Sequence, residues 1–156
     1  KKENLRDNMS DLELVLNMLA EASTTSISRA ERPEGLEENR KVALSTKKPE
    51  IFARQILANK GILSYFDAIS GADYADQTEH KDNIVRSAAQ KLGLPVSECV
   101  LLGDTRFDCI GASMVGMDCI GVLYGYGTWQ ELCDNGAAAL AENARELSVL
   151  LCERSL

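Results

Sequence analysis

Three short segments carry polar residues where a parallel sheet would expose them, at strand ends and helix starts. The first is Gly103-Asp104-Thr105-Arg106-Phe107-Asp108, which follows the apolar run Val100-Leu101-Leu102. A strand ending at Gly103 sets Asp104 at the C-terminal edge of a sheet, where open α/β folds bind their ligands. Asp108 follows in the first turn of the next helix. Two carboxylates meeting there suit a hard cation with oxygen ligands, such as Mg²⁺. The second segment is Ser45-Thr46-Lys47-Lys48-Pro49. A hydroxyl at a strand end, just ahead of a helix N-terminus, is placed to hold a phosphate oxygen, helped by the free N–H groups of the helix. The third is Glu79-His80-Lys81-Asp82-Asn83, where a lysine opens a helix against the macrodipole. Local conflicts of that kind collect at functional sites.

Each segment alone also has a purely structural reading. Residues 45–49 serve equally as a helix cap with solvated lysines, Lys81 as an exposed helix-start residue, and Asp104 as an acidic N-cap. Their order separates the readings. Thr46, Lys81 and Asp104 follow one another at intervals of 35 and 23 residues, each at a strand end or helix start.

The elements that must position them alternate regularly. Short strands are expected at 41–45, 68–70, 99–102 and 119–123, with an edge strand at 138–141. Helices are expected from Pro49 to about Asn59, over 80–92 with Ile84, Val85, Ala88 and Leu92 inward, and over 105–115. A short helix opens at the capping box Thr128-Trp129-Gln130-Glu131, and Asn143 caps a closing one through about Cys152. Gly61, Gly93 and Gly116 mark helix ends. Strand–helix alternation at this spacing means βαβ units and a parallel sheet. The expected fold is therefore α/β, a Rossmann-like three-layer α/β/α arrangement over residues 41–156. Residues 1–40 form a separate region: a helix at about 11–22 opened by Ser10-Asp11-Leu12-Glu13, then a polar linker.

Bulk properties narrow the function. The 156 residues are 45% apolar and 26% charged, enough for one domain with a real core. A net charge of -7 argues against nucleic acid or an anionic membrane as the main partner. No apolar run approaches the length of a membrane helix, and no apolar stretch follows the lysine-rich start as a secretory leader requires. The five cysteines are odd in number and show no Cys-x-x-Cys pair, which fits a reduced cytoplasmic protein. His80 is the only histidine, so a zinc site is not expected; it reads as a solvated helix-start residue, and Trp129 as packing at its own helix start.

Residues 41–154 resemble the haloacid dehalogenase superfamily, near its phosphoglycolate phosphatase and 5′-nucleotidase branches. Val42–Pro49 is similar to the second motif of that family, with Thr46 as the phosphate-binding hydroxyl. Lys81 falls at the third-motif lysine, and Gly103–Asp108 resembles the fourth motif. Phe66–Asp73 and Gly121–Thr128 resemble the strands between and after them, the Tyr124-Gly125-Tyr126-Gly127 form pointing to phosphatases. The resemblance implies a Mg²⁺-dependent phosphomonoester hydrolase acting on a small phosphorylated metabolite such as phosphoglycolate or a nucleoside monophosphate. It assigns catalytic roles to Thr46 and Lys81, and phosphate contacts to Thr46, Lys48 and Lys81. It assigns Mg²⁺ to Asp104 and Asp108, directly or through an intervening group.

One part of the resemblance is missing. The first motif of the family is a strand ending in Asp-x-Asp-Gly, which supplies the attacking carboxylate and the general acid/base. Residues 1–40 contain no match, and Thr24-Thr25-Ser26-Ile27-Ser28 is their only β-like run. That strand lies between the strands of the second and fourth motifs, so its absence predicts two facing, unpaired strand edges. The helix ahead of Lys41 is also curtailed, and helix 11–22 reads as a cap remnant. Two alternatives follow: an inactive relative or fragment that binds phosphate or a partner without chemistry, and a receiver-like domain. The second lacks the acid cluster such domains carry at their first strand.

Overall fold

The computed structural model describes residues 41–73, 75 and 80–153. The helix expected at 11–22, the linker, the cap remnant and the run 24–28 lie outside them. Ten elements alternate: β1 (Ala43–Pro49), α1 (Glu50–Asn59), β2 (Ala68–Ala72), α2 (Lys81–Leu92), β3 (Val100–Gly103), α3 (Arg106–Val115), β4 (Asp118–Val122), α4 (Trp129–Asp134), β5 (Ala139–Ala141) and α5 (Ala144–Glu153).

All strand pairs are parallel, and they form two sheets, β1–β2 and β3–β4–β5. Among the described residues no ladder joins β1 to β3. The break falls where the resemblance places the first-motif strand. In β4, flanked on both sides, Cys119 to Val122 are all buried, whereas Val100, Leu101 and Leu102 of β3, which has one neighbour among the described residues, are only half-buried.

The helices divide between two cores, α2 and α3 in one and α1 in another. Val85 and Ala89 of α2 meet Cys109, Ala112 and Val115 of α3 over Cys119 and Leu132. Leu44, Ala53, Leu57 and Ile69 close the α1 side. Ile120, Val122, Ala141 and Leu147 close the α5 side. Cys119 and Ile120, adjacent on β4, thus enter opposite cores, as period-two alternation requires. The result is a three-layer α/β/α fold.

Helix boundaries agree with the signals read from sequence, with local differences. Gly93 and Gly116 end α2 and α3 in the left-handed conformation. Pro49 does not enter the first turn of α1; it closes β1 in an extended conformation and stands as the N-cap. Ala89, rather than Leu92, completes the buried face of α2. Trp129 is 57% exposed, so it does not pack at the start of α4. Lys91 caps one carbonyl of β2: its Nζ donates to the Ile69 carbonyl at 2.7 Å and to Glu50 Oε2 at 2.6 Å. No helix among the described residues is long and apolar enough to cross a membrane.

Candidate active site

The site lies where the C-terminal ends of β1 and β3 face each other across the break. Lys81, the first residue of α2, joins the two sides. Its Nζ donates to the Ser45 carbonyl of β1 at 2.9 Å and pairs with Asp108 Oδ1 of α3 at 2.9 Å. Both side chains of the ion pair are largely buried, at 13% and 14% exposure. The ammonium carries three N–H donors, and these two acceptors take two of them.

Asp108 is committed on its other side as well. Its Oδ2 accepts from the Thr105 backbone N–H at 3.1 Å and from the Thr105 hydroxyl at 3.0 Å. Thr105 and Asp108 form a capping box that opens α3. The N-cap is therefore Thr105, not Asp104. Asp104 is 7% exposed and sits on the loop between β3 and α3.

Asp104 is gripped by the loop after β4. Its Oδ2 accepts from the Tyr126 N–H at 2.9 Å, and its own carbonyl accepts from the Gly127 N–H at 2.7 Å. The approach is so close that a Cβ on Gly125 would collide with the Asp104 carboxylate. The Tyr-Gly-Tyr-Gly stretch thus holds this acid through its backbone.

Thr46 is 5% exposed, at the point where β1 leaves regular register with β2. Its Oγ1 accepts from the Lys48 N–H at 3.2 Å, which fixes the hydroxyl in a local turn. Lys48 enters the arrangement through this N–H and through its carbonyl, which lies against Gly71. Beside Thr46, the Ser45 hydroxyl is buried without a hydrogen-bond partner.

The donor chemistry can be set against the expected Mg²⁺. Among the described residues no three acidic, histidine or cysteine side chains cluster as a ready-made metal cage. Mg²⁺ does not demand one, since it binds through one or two carboxylates with phosphate and water completing the shell. Asp104, buried at a strand edge and cradled by Gly125, fits a direct ligand in such a set. Asp108 has both oxygens engaged by protein donors and orients Lys81 instead. Behind it, Cys109 and Cys119 place their sulfurs 3.2 Å apart in the core, and their mutual contact and burial push the Cys119 thiol up.

Comparison with known proteins decides the family. Residues 34–122 match the haloacid dehalogenase-like hydrolases. The chain belongs to that family. It is 37% identical over 89 residues to a 5′-nucleotidase from Pseudomonas aeruginosa, covering 57% of this chain and 40% of the relative. It is 35% identical over 96 residues to a phosphoglycolate phosphatase from Neisseria meningitidis, covering 62% and 41%. The fold is similar to the crystal structure of a predicted phosphatase from Clostridium acetobutylicum, with a TM-score of 0.70 and 32% identity over 73% of this chain and 53% of that one. The chain thus spans about two fifths of the length of the curated relatives it matches.

For a haloacid dehalogenase-like hydrolase the sequence reading overlooked three contributors. Ser45 acts through a backbone carbonyl, which no side-chain pattern reveals. Thr105 was legible, since Thr105-x-x-Asp108 is a capping-box spacing. Tyr126 acts through its N–H, and only the neighbouring glycines hint at so close an approach.

Proposed function

We propose that this chain carries the phosphate-handling part of a Mg²⁺-dependent phosphomonoester hydrolase acting on a small phosphorylated metabolite. The observation that carries the reading is the placement of Lys81, whose ammonium stands between the ends of β1 and β3, braced by Ser45 and Asp108. Its remaining N–H is available to a phosphoryl oxygen arriving between the two strand ends. The Thr46 hydroxyl, with its oxygen already accepting from Lys48, has its proton to donate to a second oxygen. Phosphoryl transfer relies on positioning and on neutralising charge spread over the equatorial oxygens, and these groups serve that need.

Asp104 would hold the Mg²⁺, which supplies further charge neutralisation when bound. Asp108 keeps Lys81 aimed. The attacking carboxylate of the family belongs to the Asp-x-Asp motif, for which residues 1–40 contain no match. Relatives named phosphoglycolate phosphatase and 5′-nucleotidase support a small phosphate monoester as substrate.

The test is calorimetric titration with inorganic phosphate, with and without Mg²⁺, alongside Asp104→Asn. Phosphate binding that Mg²⁺ strengthens, and that loses the Mg²⁺ effect in Asp104→Asn, is expected. No phosphate binding, or binding indifferent to both Mg²⁺ and the substitution, contradicts the reading.

A further inference from the structure

Lys81 reaches Asp108 by crossing the side of α3, and the residue it crosses is Gly111. Asp108 and Gly111 are three positions apart on one helix, so they share a face. A Cβ built on Gly111 would stand 2.7 Å from Lys81 Cγ, 3.0 Å from Lys81 Cβ and 3.4 Å from the Asp82 nitrogen. The two tightest contacts are with the root of the lysine, not its flexible end. Lys81 Cβ is fixed to the first residue of α2, and Cγ is one bond further. A side chain at 111 would therefore turn Lys81 about χ1 and carry Nζ away from both its acceptors.

The backbone gives no other reason for a glycine there. Gly111 is buried within α3 and is not among the positive-φ glycines. A glycine inside a helix is destabilising relative to alanine. We propose that Gly111 is a positioning residue, a bare patch on α3 that seats the stem of Lys81 and so sets its ammonium between Ser45 and Asp108. Its effect on phosphate rests on the functional reading above; the seat itself does not.

The experiment introduces Gly111→Ala into the wild-type chain and into Lys81→Gly, which removes the stem. Thermal melting, the ¹⁵N resonance of the Lys81 ammonium, and calorimetric titration with inorganic phosphate are measured. In the wild-type background Gly111→Ala lowers the melting temperature, shifts the Lys81 resonance and weakens phosphate at least tenfold. In Lys81→Gly the same change raises the melting temperature, as alanine does in an ordinary helix. If Gly111→Ala does not fold alone, folding of the double variant supports the seat, and failure of both overturns it. A higher melting temperature in both backgrounds with the Lys81 resonance unmoved also overturns it, and unchanged phosphate affinity overturns the positioning role. A wild-type chain that binds no phosphate overturns the functional reading, while the melting comparison still decides the seat.

Discussion

Lys81 Nζ and Asp108 Oδ1 lie 2.9 Å apart, and this ion pair joins the half of the fold built on β1 and β2 to the half built on β3, β4 and β5, beside the packing of Val85 and Ala89 on α3. Removing one member of a largely buried pair leaves the other uncompensated, at a cost of about 3–5 kcal/mol. The two members are not equivalent. Asp108 keeps two donors from Thr105 when Lys81 is lost, whereas Lys81 keeps only the Ser45 carbonyl when Asp108 is lost. Asp108→Ala also removes the capping box. Chemical denaturation should therefore show Asp108→Ala to be more destabilising than Lys81→Met. The reverse order contradicts the assignment of Asp108 as the organising residue.

Gly125→Ala tests the grip on Asp104. The added methyl has no room beside a carboxylate that is itself held by Tyr126. Overpacking of this kind costs about 1–3 kcal/mol. Melting should fall, and Mg²⁺ binding measured by calorimetry should weaken together with it. Unchanged Mg²⁺ affinity would remove Asp104 from the metal-binding role.

How much of this was legible in the sequence depends on which atoms do the work. Side chains at strand ends could be read: Thr46, Lys81, Asp104 and Asp108 all announced themselves by type and spacing. The resemblance places its first-motif strand between β1 and β3, where no ladder joins them among the described residues. The division of labour between the two acids was not legible. Asp104 and Asp108 look alike in sequence, and only the Thr105 cap and the Lys81 contact show that the second is engaged on both oxygens. Backbone donors such as Tyr126 N–H carry no residue signature. Trp129 misled for a related reason: an aromatic at a helix start suggests packing, yet α4 buries Leu132 and turns Trp129 outward.

Glu50 gives a pH dependence with a definite sign. Burial disfavours its charge, but the ion pairs with Lys91 and Arg54 outweigh burial and hold its carboxyl below the usual range. A depressed pKa in the folded state contributes stability that is present above the unfolded value and is lost as pH falls through the folded one. Glu50→Gln should thus be less stable than wild type near neutrality, and the two denaturation curves should converge as the solution is acidified below the ordinary carboxylate pKa. A difference that persists unchanged into acid would show that the ion pairs with Lys91 and Arg54 are not its source.

Thr46 and Lys81 are proposed to hold a phosphate group beside a Mg²⁺ on Asp104, and titration calorimetry of inorganic phosphate in the presence of Mg²⁺ measures that binding. Binding does not require the attacking group, so it isolates the described part of the site. A charge-assisted hydrogen bond of about 1.5–3 kcal/mol corresponds to a loss of roughly 10- to 150-fold in affinity. Saturable binding to the wild-type chain, weakened by at least tenfold in Lys81→Met, is expected. No binding, or equal binding by the two proteins, overturns the phosphate site.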